Sequence, residues 1–278
     1  MTGDTGVLDT SHGEVFWRAW LPEQPPRAIV VLVHGVAEHS GRYDRVGKLL
    51  ADTGFAVYAD DHLGHGRSAG APANIESIDA AADTVERMLA LASTRFPHLP
   101  RFVVGHSMGA SITLYLATRA PLDVAGIAVS GPALVFDDAN PGQRLLAPAL
   151  SRWTPNLGVL QLDSSGLSRD PEVVRAYEQD PLVHRGKLPA RTAAEILRGA
   201  RHVLGHLDAL HVPTLIMHGG SDTVTDPAST DRVEAGATGT ELTVRRYPGL
   251  YHEIFNEPER DAVLADLVRW LEDHIGGQ

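Results

Sequence analysis

RFVVGHSMGASITLYLA, residues 101–117, sets a run of β-favouring residues directly against Gly-His-Ser-Met-Gly and then an apolar helical pattern. Strand, sharp turn, helix is the local reading. A serine at the tip of such a turn is crowded by its second neighbours on either side, which is why glycines stand at 105 and 109. The helix beginning beneath Ser107 also presents backbone N–H groups, where a developing oxyanion gains stabilisation. LGHGRSAGAP, residues 63–72, repeats the Gly-x-Ser-x-Gly spacing around Ser68. That serine follows a polar run and leads into Gly70 and Pro72, which signal a loop. Ser107 is therefore the candidate nucleophile.

Outward from this turn, short apolar runs recur at residues 14–20, 28–33, 55–59, 101–104, 124–130, 214–218 and 242–247, bounded by Gly, Pro and Asp. Helix-length patterns lie between them at 43–53, 78–96, 107–119, 229–235 and 258–275. Strands alternating with helices predict an α/β protein with a mostly parallel sheet covered on both faces, its first strand or two antiparallel. From about residue 133 to 210 no buried strand is legible, only helical patches such as GQRLLAPALSRW and RTAAEILRGARHVLGHL. This segment is read as an insertion between two core strands, the kind of place where lids and binding segments arise.

Composition bounds the function. The chain has 278 residues, 43% hydrophobic and 21% charged, which suits a folded α/β domain with an insertion. A formal charge of -11 argues against a nucleic-acid partner and against attraction to anionic lipid, so any membrane contact must be hydrophobic. With no cysteine, disulfides, thiolate metal sites and cysteine nucleophiles are excluded. The amino terminus lacks the pattern of a signal peptide, and no apolar run approaches the length of a membrane span. A cytoplasmic or peripherally membrane-associated protein is expected.

A serine hydroxyl barely ionises at neutral pH, so it requires a base and a third group to orient that base. Of 14 histidines, His252 is singled out by its place in YPGLYHEIFNEPER, just after the last strand on a turn made by Pro248 and Gly249. His34, His39, His62, His65, His106 and His218 sit near strand ends, where packing or hydrogen bonding is the simpler role. The strand TLIMHGG ends at Asp222, on the carboxyl edge where open α/β sheets assemble their sites. Asp226, the rival acid, precedes Pro227 and a helical pattern and is better suited to capping. The loop His34-Gly35-Val36-Ala37 supplies a second oxyanion donor, so Val36 N–H and Met108 N–H form the candidate oxyanion hole. His62 and His65 lack a compelling third ligand, and neither metal nor cofactor is called for.

With HGVAEHSGRYD (34–44), DHLGHGRS (61–68), GHSMG (105–109), HGGSD (218–222) and GLYHEIFNEPE (249–259) in this order, the chain resembles the α/β-hydrolase superfamily along nearly its whole length. More narrowly, it resembles the monoacylglycerol lipases, particularly bacterial ones of the actinobacterial type. The resemblance implies an α/β-hydrolase core at 1–132 and 211–278, a helical cap at 133–210 over an apolar acyl tunnel, and hydrolysis of one acyl ester from glycerol. It makes Ser68 structural, and it leaves Val36-Ala37 where relatives often carry Ala-Gly or another small pair. Leu145, Leu146, Leu150, Trp153, Leu157, Val159, Leu160 and Leu162 form an apolar set in the insertion, read either as a lipid-touching lid or as a cap packed on the core. Lysophospholipase, carboxylesterase and perhydrolase remain rivals within the fold. A catalytically silent lipid-binding protein is the rival outside it.

Overall fold

The computed structural model describes residues 2–136 and 141–276; the side chains of residues 2 and 141–146 lie outside that description. The chain opens with a hairpin of β1 (Thr2–Thr10) and β2 (Gly13–Leu21), then β3 (Ala28–Val33). Next come α1 (Asp44–Asp52), β4 (Phe55–Asp60), α2 (Ile78–Arg95), β5 (Arg101–His106), α3 (Met108–Arg119) and β6 (Gly126–Ser130). The insertion carries α4 (Pro141–Trp153), β7 (Gly158–Leu160), α5 (Pro171–Gln179), β8 (Leu188–Pro189) and α6 (Ala190–Gly205). The core resumes with β9 (Thr214–Gly219), α7 (Ala228–Gly236), β10 (Leu242–Tyr247) and α8 (Arg260–Asp273).

The main sheet has eight strands in the order β1-β2-β4-β3-β5-β6-β9-β10. Only the β1–β2 and β2–β4 pairings are antiparallel, and β4 through β10 pair in parallel. The expected antiparallel start is thus present. β3 shows why the interior strands read as unbroken apolar runs: Ile29, Val31 and Val33 join the core on the α2–α3 face, while Ala28, Val30 and Leu32 join the core beneath α1 and α8. A strand covered on both faces has no polar side to alternate with. Each such buried Val, Ile or Leu side chain contributes about 1.5–3 kcal/mol.

β1, absent from the sequence reading, extends the sheet at one edge through full register with β2, Thr2 opposite Leu21 and Thr10 opposite Gly13. β7 and β8 pair with each other as a short antiparallel ribbon outside the main sheet, so the insertion contributes no core strand. Among the described residues, no helix is long and apolar enough to cross a membrane.

Candidate active site

β5 and α3 are joined by Ser107 alone. Its backbone sits at φ 55 and ψ -118, a conformation that costs a non-glycine residue roughly 1–3 kcal/mol and persists only where the surroundings impose it. The two motif glycines do the imposing. A Cβ on Gly105 would lie 2.4 Å from Gly109 O, and one on Gly109 only 2.1 Å from Val33 O, so helix and strands approach too closely for any side chain. The turn is tied to the next strand by Ser107 N–H donating to Ser130 O at 2.8 Å. As the first residue of α3, Met108 has no carbonyl four residues back within its own helix.

Asp222 lies past the end of β9 and His252 past the end of β10, and both are buried. His252 Nδ1 is 2.7 Å from Asp222 Oδ2, which assigns the ring proton to Nδ1 and leaves Nε2 with its lone pair. The same oxygen accepts from Thr225 Oγ1 at 2.9 Å and from His218 Nε2 at 3.1 Å, while Oδ1 accepts from the amides of Val224 and Thr225. Burial opposes ionisation of Asp222, but the bonds from His218 and His252 outweigh it and hold its pKa well below the carboxylate range. The sequence singles out neither Thr225 nor His218 as a site residue. Only a spacing of three after Asp222 pointed to Thr225, and such a spacing is too common to select it. Asp226 is exposed and its Oδ1 accepts from Ala228 N–H at the start of α7, although the N-cap position itself falls to Pro227.

Ser107 and His252 line one cavity together with Val36, Glu38, Arg42, His106 and Glu253 from the core and Leu162, Leu167 and Tyr177 from the insertion. No Ser107–His252 hydrogen bond stands among the contacts of the described residues; such bonds are often long without substrate and tighten on binding. His106 packs its ring 4.7 Å from that of His252, and burial with His252 beside it pushes its pKa down to about 3, so it stays neutral. Neither Val36 N–H nor Met108 N–H is spent on a turn or loop bond among the described residues.

A buried charge network underlies the cavity. Glu38 accepts from Gly35 N–H and Tyr43 OH, each at 2.7 Å, and from Arg42 at 2.6 Å. Arg42 forks onto Glu253 at 2.6 and 2.8 Å, and its guanidinium lies 4.8 Å over the Tyr177 ring. Burial pushes the Glu253 pKa up, but Arg42 prevails and brings it down to about 2. These residues stand in the quoted motifs, yet nothing in the sequence pairs position 42 with 253.

Ser68 donates to Asp61 O and accepts from Phe16 N–H at 2.9 Å, a loop tie remote from this cavity. The rings of His34 and His62 lie 4.1 Å apart and those of His34 and His65 5.4 Å. His62 N–H donates to His34 Nε2 at 2.9 Å, so this cluster braces the loop that leads to Val36. Among the described residues, no group of His, Cys, Asp or Glu is arranged to hold a metal ion.

The family model described as serine aminopeptidase S33 matches residues 24–259. The monoacylglycerol lipase of Mycolicibacterium smegmatis is 37% identical over 94% of both chains. The monoglyceride lipase of Homo sapiens is 31% identical, over 92% of this chain and 86% of its own. The crystal structure of the Paleococcus ferrophilus monoacylglycerol lipase superposes with a TM-score of 0.86 at 30% identity, covering 94% of this chain and 99% of that one. Fold and sequence agree: the chain belongs to the α/β-hydrolase superfamily, in the serine aminopeptidase S33 family, and is similar to monoacylglycerol lipases over nearly its whole length.

Proposed function

We propose that the protein is a serine ester hydrolase that cleaves monoacylglycerols to free fatty acid and glycerol through an acyl-enzyme on Ser107. One observation carries the reading: a serine held at φ 55 shares a cavity with a histidine whose far nitrogen is 2.7 Å from a buried carboxylate. In the first half-reaction, His252 Nε2 takes the hydroxyl proton as Ser107 Oγ attacks the ester carbonyl. The oxyanion receives hydrogen bonds from Val36 N–H and Met108 N–H. Collapse of the tetrahedral adduct expels glycerol oxygen, which takes the proton from His252. In the second, His252 deprotonates water, water attacks the acyl carbon, and Ser107 recovers its proton as fatty acid leaves. Asp222 stabilises the imidazolium in both.

The named substrate of the relatives supports the glycerol ester as the bond cleaved. On this reading residues 1–132 and 211–278 are the hydrolase core and 133–210 the cap. The cavity at Ser107 holds about 40 Å³, far short of the roughly 300–1,000 Å³ that lipid-sized ligands occupy. Substrate therefore enters when the cap yields.

The test is a substrate series of mono-, di- and triacylglycerols, lysophosphatidylcholine and p-nitrophenyl esters, read with wild type and Ser107→Ala. Monoacylglycerol turnover and fluorophosphonate labelling are expected, both abolished in the variant. A preference for the lysophospholipid overturns the substrate, and labelling that survives in Ser107→Ala overturns the mechanism.

A further inference from the structure

Ala37 follows the proposed oxyanion donor Val36, and it is a buried alanine at φ 66. An L-residue other than glycine leaves this left-handed region unless its surroundings hold it there. The core side of the loop fixes Gly35 and Glu38, through the Gly35 N–H to Glu38 Oε1 bond, but leaves the Ala37 carbonyl to another partner.

That partner comes from the insertion. His184 N–H donates to Ala37 O at 2.9 Å. Leu188 shares a small buried cluster with Ala37 and Ala73, against which Val36 and Leu162 pack. Two residues further, His39 Nε2 lies 2.9 Å from Asp180 Oδ2. Nδ1 of that ring accepts from Gly41 N–H at 3.1 Å, so Nε2 bears the proton and donates to Asp180. Asp180 is itself fixed by Leu182 N–H at 2.9 Å. Three contacts from residues 180–188, a strap running from the end of α5 into β8, thus converge on residues 37–39.

We infer that this strap is a positioning element of the acyl-transfer site: Asp180, His184 and Leu188 hold Ala37 left-handed and so set the Val36 amide that receives the oxyanion. The inference rests on the acyl-transfer reading above. With Glu38 anchored to the core, rotation about the Ala37 backbone swings Val36, and the donor moves with it. The oxyanion site is complete only while the insertion is seated.

A double-mutant cycle on the full chain tests this. Asp180→Ala and Leu188→Ala are each expected to lower kcat ~5–10-fold with KM within ~2-fold, because the loss falls on the transition state. Ala37→Gly supplies the second background: measured against that variant's own kcat, the two substitutions cost less than ~2-fold, since glycine occupies the left-handed region unaided. Asp180→Asn, whose amide oxygen still accepts from His39, serves where an alanine variant fails to fold and retains kcat within ~2-fold. Equal losses in the wild-type and Ala37→Gly backgrounds, a loss confined to KM, or an Asp180→Asn defect of ~5-fold or more overturns the inference. Ser107→Ala, run alongside, separates the two readings. Activity surviving that change ends the acyl-transfer reading, whereas its abolition together with equal losses in the cycle ends only the role of the strap.

Discussion

Gly131 stands at φ 53 just past the end of β6, and a Cβ there would lie 3.2 Å from both Cε1 and Nδ1 of His252 and 3.4 Å from Asp222 Oδ2. Gly131→Ala therefore meets two costs: a strained backbone and a methyl pressed on the imidazole that must stay aligned with its carboxylate. The imidazole must give by a few tenths of an ångström, and since about 1 Å at a reacting group costs on the order of 10²-fold in rate, kcat is expected to fall ~3–10-fold. The fold should lose no more than about 1–3 kcal/mol. Steady-state kinetics beside a thermal melt checks this; an unchanged kcat would mean that His252 has slack the packing does not show. Gly131 was not legible as a site residue, because its significance is contact with positions 222 and 252. The positions of the candidates Ser107, Asp222 and His252 were legible, because each stands where a strand ends beside local punctuation that the sequence displays. Thr225, Arg42 and Glu253 act through partners distant in sequence or through a spacing with no distinctive signature.

At the scale of elements, the insertion exposes what the core hides. Trp153 at the end of α4 is 77% exposed, and Leu157, Val159 and Leu160 around β7 are 38–49% exposed. Leu162 turns toward the cavity instead, and the side chains of Leu145 and Leu146 lie outside the described residues. Of the two readings of this apolar set, packing on the core accounts for Leu162 and leaves the outward group without a buried role. Contact of this outward group with neutral lipid is the alternative that a kinetic comparison tests. Trp153→Ser with Leu160→Ser is expected to reduce turnover on emulsified monoacylglycerol ~5–10-fold while leaving a soluble p-nitrophenyl ester within ~2-fold. Parallel assays decide it, and equal losses would return these residues to a packing role. The core elements were legible because buried parallel strands and their covering helices write their periodicity plainly. β1 was not: TGDTGVLDT has no apolar run, and the strand forms through its register with β2. α5 is only nine residues long, although Asp170 caps it and Pro171 opens it as helix starts commonly do.

Across the whole molecule, Arg42 joins the loop before α1 to the loop after β10, with Glu38 on one side and Glu253 on the other. Both carboxylates are nearly inaccessible, so the network stands or falls as a unit. Removing its cation leaves two buried negative charges, which costs about 3–5 kcal/mol. The pH dependence has a definite sign. Burial disfavours the Glu253 carboxylate, but Arg42 brings its folded pKa down to about 2. Its contribution is therefore fully present above the unfolded carboxylate range and is lost as pH falls toward 2. In Arg42→Ala the main depressing partner is gone and burial is opposed chiefly by the Asn256 amide, which donates to Glu253 at 2.8 Å, so the folded pKa rises from its wild-type value. The variant therefore loses less than the wild type as pH falls and the Glu253 carboxylate neutralises. Denaturant unfolding at pH 7 and pH 5 is expected to show a gap between wild type and Arg42→Ala that narrows by about 1 kcal/mol or more at the lower pH. A gap of equal size at both values would mean that the guanidinium matters through its packing over Tyr177, and that the charge it supplies to Glu38 and Glu253 is dispensable for joining the two ends of the core.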